Sequence, residues 1–201
     1  MKQQIFVIHG GNASNSYAEY LKYLKTKKVD LKWLAAKDWK TELGKNLGQR
    51  FQVYNPQMPN KQNAKYLEWK IYFEKFIPLM SDQIILIGHS LGGIFLAKYL
   101  SEKKFPKKIL ATFLIAAPFN TPTKHPLADF NLLNDLSKLA IQGGQIYFYH
   151  SEDDRVVPFS NLKHYKKLLP SAMIRTFKKR GHFNESNFPE LTKDLKNLLK
   201  P

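Results

Sequence analysis

Cysteine is absent from this 201-residue chain, which excludes disulfides and thiolate metal sites. The absence suits a reducing compartment, and a cytoplasmic location is expected. Long hydrophobic runs are missing too. The apolar start Ile5-Phe6-Val7-Ile8 is far too short for a signal peptide or a membrane span, and no other stretch is long enough to cross a bilayer. Internal repeats, low-complexity segments and linkers are also lacking, so residues 1–201 read as one domain.

Acidic residues are few, 16 against 32 lysines and arginines, for a formal charge of +16. A charge of that size invites a nucleic-acid reading. Arginine, the residue best suited to bidentate phosphate recognition, is scarce, however: only Arg50, Arg155, Arg175 and Arg180 are present. The lysines are spread from Lys22 to Lys200, as in Lys103/Lys104 and Lys166/Lys167, which is the pattern of a solvated surface. No nucleic-acid partner is expected, although the field could attract anionic substrates or surfaces. A hydrophobic fraction of 43% is ample for a packed core.

Apolar runs of strand length alternate with stretches of helical period. Strands are expected at 4–9, 51–54, 84–87, 110–116, 145–150 and 172–177. Helices are expected at about 16–27, 31–47, 66–77, 94–100, 132–141, 159–168 and 189–199. The strands are continuously apolar, not alternating, which is the signature of a parallel sheet buried on both faces. The expected fold is therefore α/β: a three-layer sandwich with about six mainly parallel strands and helices on both sides.

The stretch Ile84-Ile85-Leu86-Ile87-Gly88-His89-Ser90-Leu91-Gly92-Gly93 carries the chemistry. It reads as strand, tight turn and helix with Gly-x-Ser-x-Gly at the turn, a geometry that exposes a serine hydroxyl above the sheet. Ligands of such sheets gather beyond the carboxyl ends of the strands. Three other predicted strand ends bear fitting groups: His9-Gly10-Gly11, the acids Glu152-Asp153-Asp154, and Gly181-His182. Ser90 is a weak nucleophile until a base takes its proton, and His182 is the candidate base. An acid would orient the imidazole, and the backbone N–H groups of Leu91 and Gly11 would bind the oxyanion. His9 and His89 adjoin motif glycines and can serve to shape their turns, while His125, His150 and His164 sit in loop, strand or helix contexts. Neighbouring positions point opposite ways, so at most one of Asp153 and Asp154 faces His182. On these grounds alone the choice stays open.

These residues resemble the α/β-hydrolase superfamily, and more narrowly its small serine hydrolases of the retinoblastoma-binding-protein type. The resemblance rests on Ile8-His9-Gly10-Gly11, Pro56-Gln57-Met58-Pro59-Asn60 ahead of Glu68-Trp69, the Ser90 elbow, Ser151 to Pro158, and Gly181-His182-Phe183. It implies that Asp154, two residues before Val156-Val157-Pro158, is the acid, with Ser90 the nucleophile and His182 the base. Arg155 stands where a proline is often found. Two departures are expected: an added helical stretch at about 31–48, either packing or pocket rim, and no large cap between strands four and five. An open site of this kind favours small or accessible acyl groups. The expected activity is carboxylic ester hydrolysis of a small-molecule acyl substrate, a chemistry that requires neither metal nor organic cofactor. An amidase, peptidase or acyltransferase would use the same groups, and a binding protein using the basic surface is the reading from another class. A monomer is compatible with all of this.

Overall fold

A computed structural model of the protein describes residues 2–31, 35–120, 123 and 125–200. Six strands form one open sheet: β1 (Gln3–Ile8), β2 (Phe51–Tyr54), β3 (Ile84–His89), β4 (Ile109–Ile115), β5 (Gln145–Ser151) and β6 (Met173–Phe177). Every pairing is parallel and the spatial order is β2-β1-β3-β4-β5-β6. The chain steps outward from β1 to β2, then returns to the other side of β1 and runs on through β6. The reversal falls between β1 and β3, where an open α/β sheet leaves a crevice beyond its strand ends.

Burial on both faces explains the apolar runs of the central strands. The edge strands β2 and β6 are largely exposed and are not, as the sequence suggests, buried on both faces. Along β1, Phe6 and Ile8 belong to one core while Ile5 and Val7 belong to the other. Along β3, Ile84 and Leu86 part from Ile85 and Ile87 in the same way. The first core is closed by α3 (Tyr66–Glu74), α4 (Leu91–Glu102), α5 (Ser137–Gln142) and α6 (Ser160–Leu168), through residues such as Trp69, Phe95, Leu139 and Tyr165. The second is closed by α2 (Trp39–Leu47) and α7 (Pro189–Asn197), through Trp39, Leu43, Leu191 and Leu195.

Several elements depart from the sequence expectation, each for a physical reason. Of the helix expected over 31–47, Leu31 and Ala35 are helical and α2 carries the rest from Trp39 on, with a break between them. Residues 36–38 are not helical, and the Asp38 carboxylate caps the helix by accepting from the Lys40 N–H. Leu34 lies outside the described residues. The helix expected over 132–141 begins only at Ser137, because Asn120 bonds the backbone N–H and C=O of Leu132 and holds it out of a helical turn. The apolar stripe of α1 (Tyr17–Thr26) has helical spacing, yet no residue of α1 is buried. Among the described residues no helix is long and apolar enough to cross a membrane.

α4 starts three residues earlier than the apolar period indicates, because its first turn contains two glycines. A Cβ on Gly92 would stand 2.2 Å from the Ile8 carbonyl oxygen, and one on Gly88 would stand 2.4 Å from that of Gly92. Side chains are excluded here by neighbouring backbone. Gly44, inside α2, is different: its added Cβ would meet Val53 at 3.6 Å, an ordinary contact. Gly92→Ala should therefore lower stability by about 2–3 kcal/mol, a Tm loss of roughly 5–10 °C. Gly44→Ala should raise stability by about 0.5–1 kcal/mol through helix propensity. Thermal unfolding followed by circular dichroism checks both signs.

Candidate active site

Ser90 sits between β3 and α4 with φ 55° and ψ −121°. This left-handed conformation is costly for a residue with a side chain and is sustained only by the packing around it. The turn lifts the hydroxyl off the end of the sheet toward the loop after β6. There the His182 Nε2 lies 2.9 Å from Ser90 Oγ. The other ring nitrogen, Nδ1, donates to Asp154 Oδ2 at 2.8 Å. Asp154 Oδ1 accepts from the N–H groups of Val156 and Val157 at 2.8 and 2.9 Å, and its side chain is fully buried. Three residues from the ends of β3, β5 and β6, 28 and 92 positions apart along the chain, thus form one hydrogen-bonded path.

The two aspartates that sequence reasoning left level have separate partners. Asp153 turns the opposite way from Asp154. Its Oδ1 accepts from Ser151 Oγ and from the Gly181 N–H at 2.9 Å, so it holds the backbone beside His182 and not the ring.

The loop after β1 forms the facing wall. A Cβ on Gly10 would approach Ser90 Cβ to 3.0 Å, and one on Gly11 would meet the Lys61 carbonyl oxygen at 2.6 Å. The loop is tied down by Asn12 N–H to Lys61 O and Ala64 N–H to Asn12 O, both 2.8 Å. His9 stiffens it: Nδ1 donates to the Gly10 carbonyl and Nε2 accepts from the Met58 N–H. Among the described residues the N–H groups of Gly11 and Leu91 have no acceptor within the protein, and both residues line the cavity over Ser90. The arrangement offers a polarised hydroxyl, a base held in one tautomer, and unused N–H donors, which together are the equipment for acyl transfer.

The cavity measures about 490 Å³. Pro118, Leu127 and Val157 give it an apolar side, the first two from the short segment between β4 and β5. Lys40, Thr41 and Gln57 give it a polar side. The cation Lys40 was missed by the sequence reading, which treats the lysines as solvated surface. Its side chain is only 8% exposed and pairs with Asp38 at 2.6 Å. One lysine among so many carries no local sign of burial. Desolvation pushes its pKa down, opposed by the Asp38 carboxylate.

A serine on a strand-to-helix elbow, within an open parallel sheet and facing an Asp-bound histidine, defines the α/β-hydrolase class. The chain belongs to the serine hydrolase family, whose model matches residues 34–198. It is similar to the serine hydrolase RBBP9 of Rattus norvegicus, at 24% identity over 151 residues, 75% of this chain and 80% of that protein. Among solved structures it resembles the ydeN gene product from B. subtilis, with TM-score 0.76, 19% identity and 98% of each chain covered. It also resembles naproxen esterase (carboxylesterase NP) from Bacillus subtilis, with TM-score 0.61, 13% identity and coverage of 99% and 84%. The helix α2, which the sequence reads as part of an added stretch, lies within the matched residues. It serves both expected roles, packing through Trp39, Leu43 and Leu47 and lining the cavity through Lys40 and Thr41.

Burial lowers the pKa of His9, His89 and His150, more than their backbone hydrogen bonds raise it. Unfolded, these groups bind protons near pH 6.5; folded, they do not until the pH is lower. The stability they contribute is therefore present above about pH 6.5 and is lost as the pH falls through and below that value. Urea midpoints should drop between pH 7.5 and 6, with net proton uptake on unfolding measurable by calorimetry in buffers of different ionisation enthalpy.

Proposed function

We propose that the chain, acting as one domain, is a carboxylesterase working through an acyl-enzyme on Ser90. The observation that carries this reading is the continuous path from Ser90 Oγ through His182 to the buried Asp154, 2.9 and 2.8 Å in its two steps. As Ser90 attacks an ester carbonyl, its proton passes to His182 Nε2, and Asp154 stabilises the imidazolium. The carbonyl oxygen becomes an oxyanion, for which the Leu91 and Gly11 N–H groups are the proposed donors. His182 then gives its proton to the leaving alcohol. Water repeats the sequence on the acyl-enzyme, freeing the acid and restoring Ser90.

The cavity supports a small substrate. Its volume of about 490 Å³ must hold both the acyl and the alcohol portions. Among the described residues, the segment between β4 and β5 contributes loop, one helical turn at Ala128–Phe130 and the short α5, with no large cap to shelter a long chain. The apolar side at Pro118, Leu127 and Val157 suits a short acyl group.

A fluorophosphonate probe should label the wild-type protein and leave Ser90→Ala unlabelled; labelling that survives the substitution removes Ser90 from its role. Asp154→Asn should keep the fold and lower kcat about 10³- to 10⁴-fold by releasing the imidazole into the wrong tautomer. Short-chain esters should be turned over faster than long-chain triglyceride, as a panel of acyl lengths would show.

A further inference from the structure

His182 is gripped through its backbone as well as its ring. His89, next to Ser90, is buried, and its Nε2 donates to the His182 carbonyl oxygen at 2.8 Å. With that nitrogen protonated, Nδ1 of neutral His89 is an acceptor, and the Lys40 ammonium lies 3.5 Å away, oriented toward it. The contact is long and mainly electrostatic. Lys40 is itself held by both oxygens of Asp38, at 2.7 and 2.6 Å, and sits 4.8 Å from the Trp39 ring centroid. Trp39 completes the grip: its indole N–H donates to the Phe183 carbonyl at 2.9 Å and its backbone N–H to that of Glu185 at 3.2 Å.

Three carbonyls of the loop, those of residues 182, 183 and 185, are therefore bound by the start of α2 and the end of β3. The loop needs such restraint. Gly181 and Phe183, on either side of His182, have φ 48° and 52°. For Phe183 that conformation costs about 1–2 kcal/mol and persists only where the surroundings enforce it.

We infer that His89 and Lys40, with Asp38 behind them, are positioning residues that set His182 at reacting distance from Ser90. The inference rests on the serine esterase reading above for its consequence in rate, but the geometry behind it is independent of substrate. Ser90 and His89 are consecutive, so one rigid strand end carries the hydroxyl that faces the His182 ring and the imidazole that holds the His182 backbone. Lys40 keeps His89 in the single tautomer that can donate: a proton on Nδ1 would point at an ammonium group. Asp154 restrains the ring from one side and this path restrains the main chain from the other.

The pair His89→Phe and His89→Gln tests the inference. Phe fills the space but cannot donate, whereas Gln places an amide N–H near the His Nε2 position and an oxygen toward Lys40. On a short-chain ester, His89→Phe should lower kcat about 10- to 100-fold with KM within about twofold of wild type, and His89→Gln should recover most of the loss. Lys40→Met and Asp38→Asn should lower kcat by smaller factors, about 3- to 10-fold, again without a change in KM. The low-field proton resonance of the His182 Nδ1–H to Asp154 bond gives a readout without substrate: kept in His89→Gln, broadened or lost in His89→Phe. Wild-type kcat and resonance in His89→Phe, equal losses in Phe and Gln, or a loss confined to KM overturns the inference. Should His89→Phe not fold, wild-type kcat and resonance in Lys40→Met overturn it instead. A wild-type protein that hydrolyses no ester, yet shows this resonance pattern, would overturn the esterase reading and leave the positioning role standing.

Discussion

The close approach of backbone to backbone at the end of β3 is the constraint on which the rest of the site depends. Gly92 lies against the carbonyls of Ile8 and His9, and Gly88 against the first turn of α4, at distances where no side chain fits. This contact lets α4 begin immediately after Ser90 and holds that residue at positive φ. It also joins the ends of β1 and β3, the two strands between which the chain order reverses, so the His9-Gly10-Gly11 loop comes to lie across from the serine hydroxyl. A larger side chain at these glycines would part the strand and helix and take the candidate oxyanion donors away from Ser90.

Around that fixed point the movable parts are loops held by polar contacts. The loop bearing His182 has little apolar anchorage apart from Phe183 and Phe188 and contains two residues in the left-handed region. It is secured by hydrogen bonds that it donates to the Asp153 and Asp154 carboxylates on one side and accepts from Trp39 and His89 on the other. Each of these groups is carried by a strand end or a helix start that is itself packed into the second core. Reactive groups on loops acquire rigid geometry in this way, borrowing it from the scaffold.

Much of the architecture was legible in the sequence because the central parallel strands, buried on both faces, are mostly apolar. The largely exposed edge strands β2 and β6 are short runs set off by their flanking turns and helices. The six runs expected from that pattern are the six strands observed, within a residue or two at their ends. Helix boundaries were less legible. The stripe in α1 has the right period, yet period reports only which residues share a face and not whether anything covers that face. The late start of α5 depends on Asn120, twelve residues before Leu132, whose amide competes for the backbone that local propensity would have made helical. Lys40 was hidden for a similar reason: a lysine's burial is decided by where its helix docks.

By itself the sequence determined the class of fold, the serine elbow, and the order in which serine, acid and histidine follow the strands, because each is written in short-range pattern. The resemblance to a known family was needed to choose Asp154, since two adjacent carboxylates are locally equivalent. Only the tertiary structure decided how they differ, turning Asp154 to the imidazole and Asp153 to the Gly181 backbone. It also decided that a lysine and a second histidine stand behind His182. Those contacts join residues 38–40, 89 and 182–185, segments far apart along the chain that meet only after the sheet has brought its strand ends to one edge.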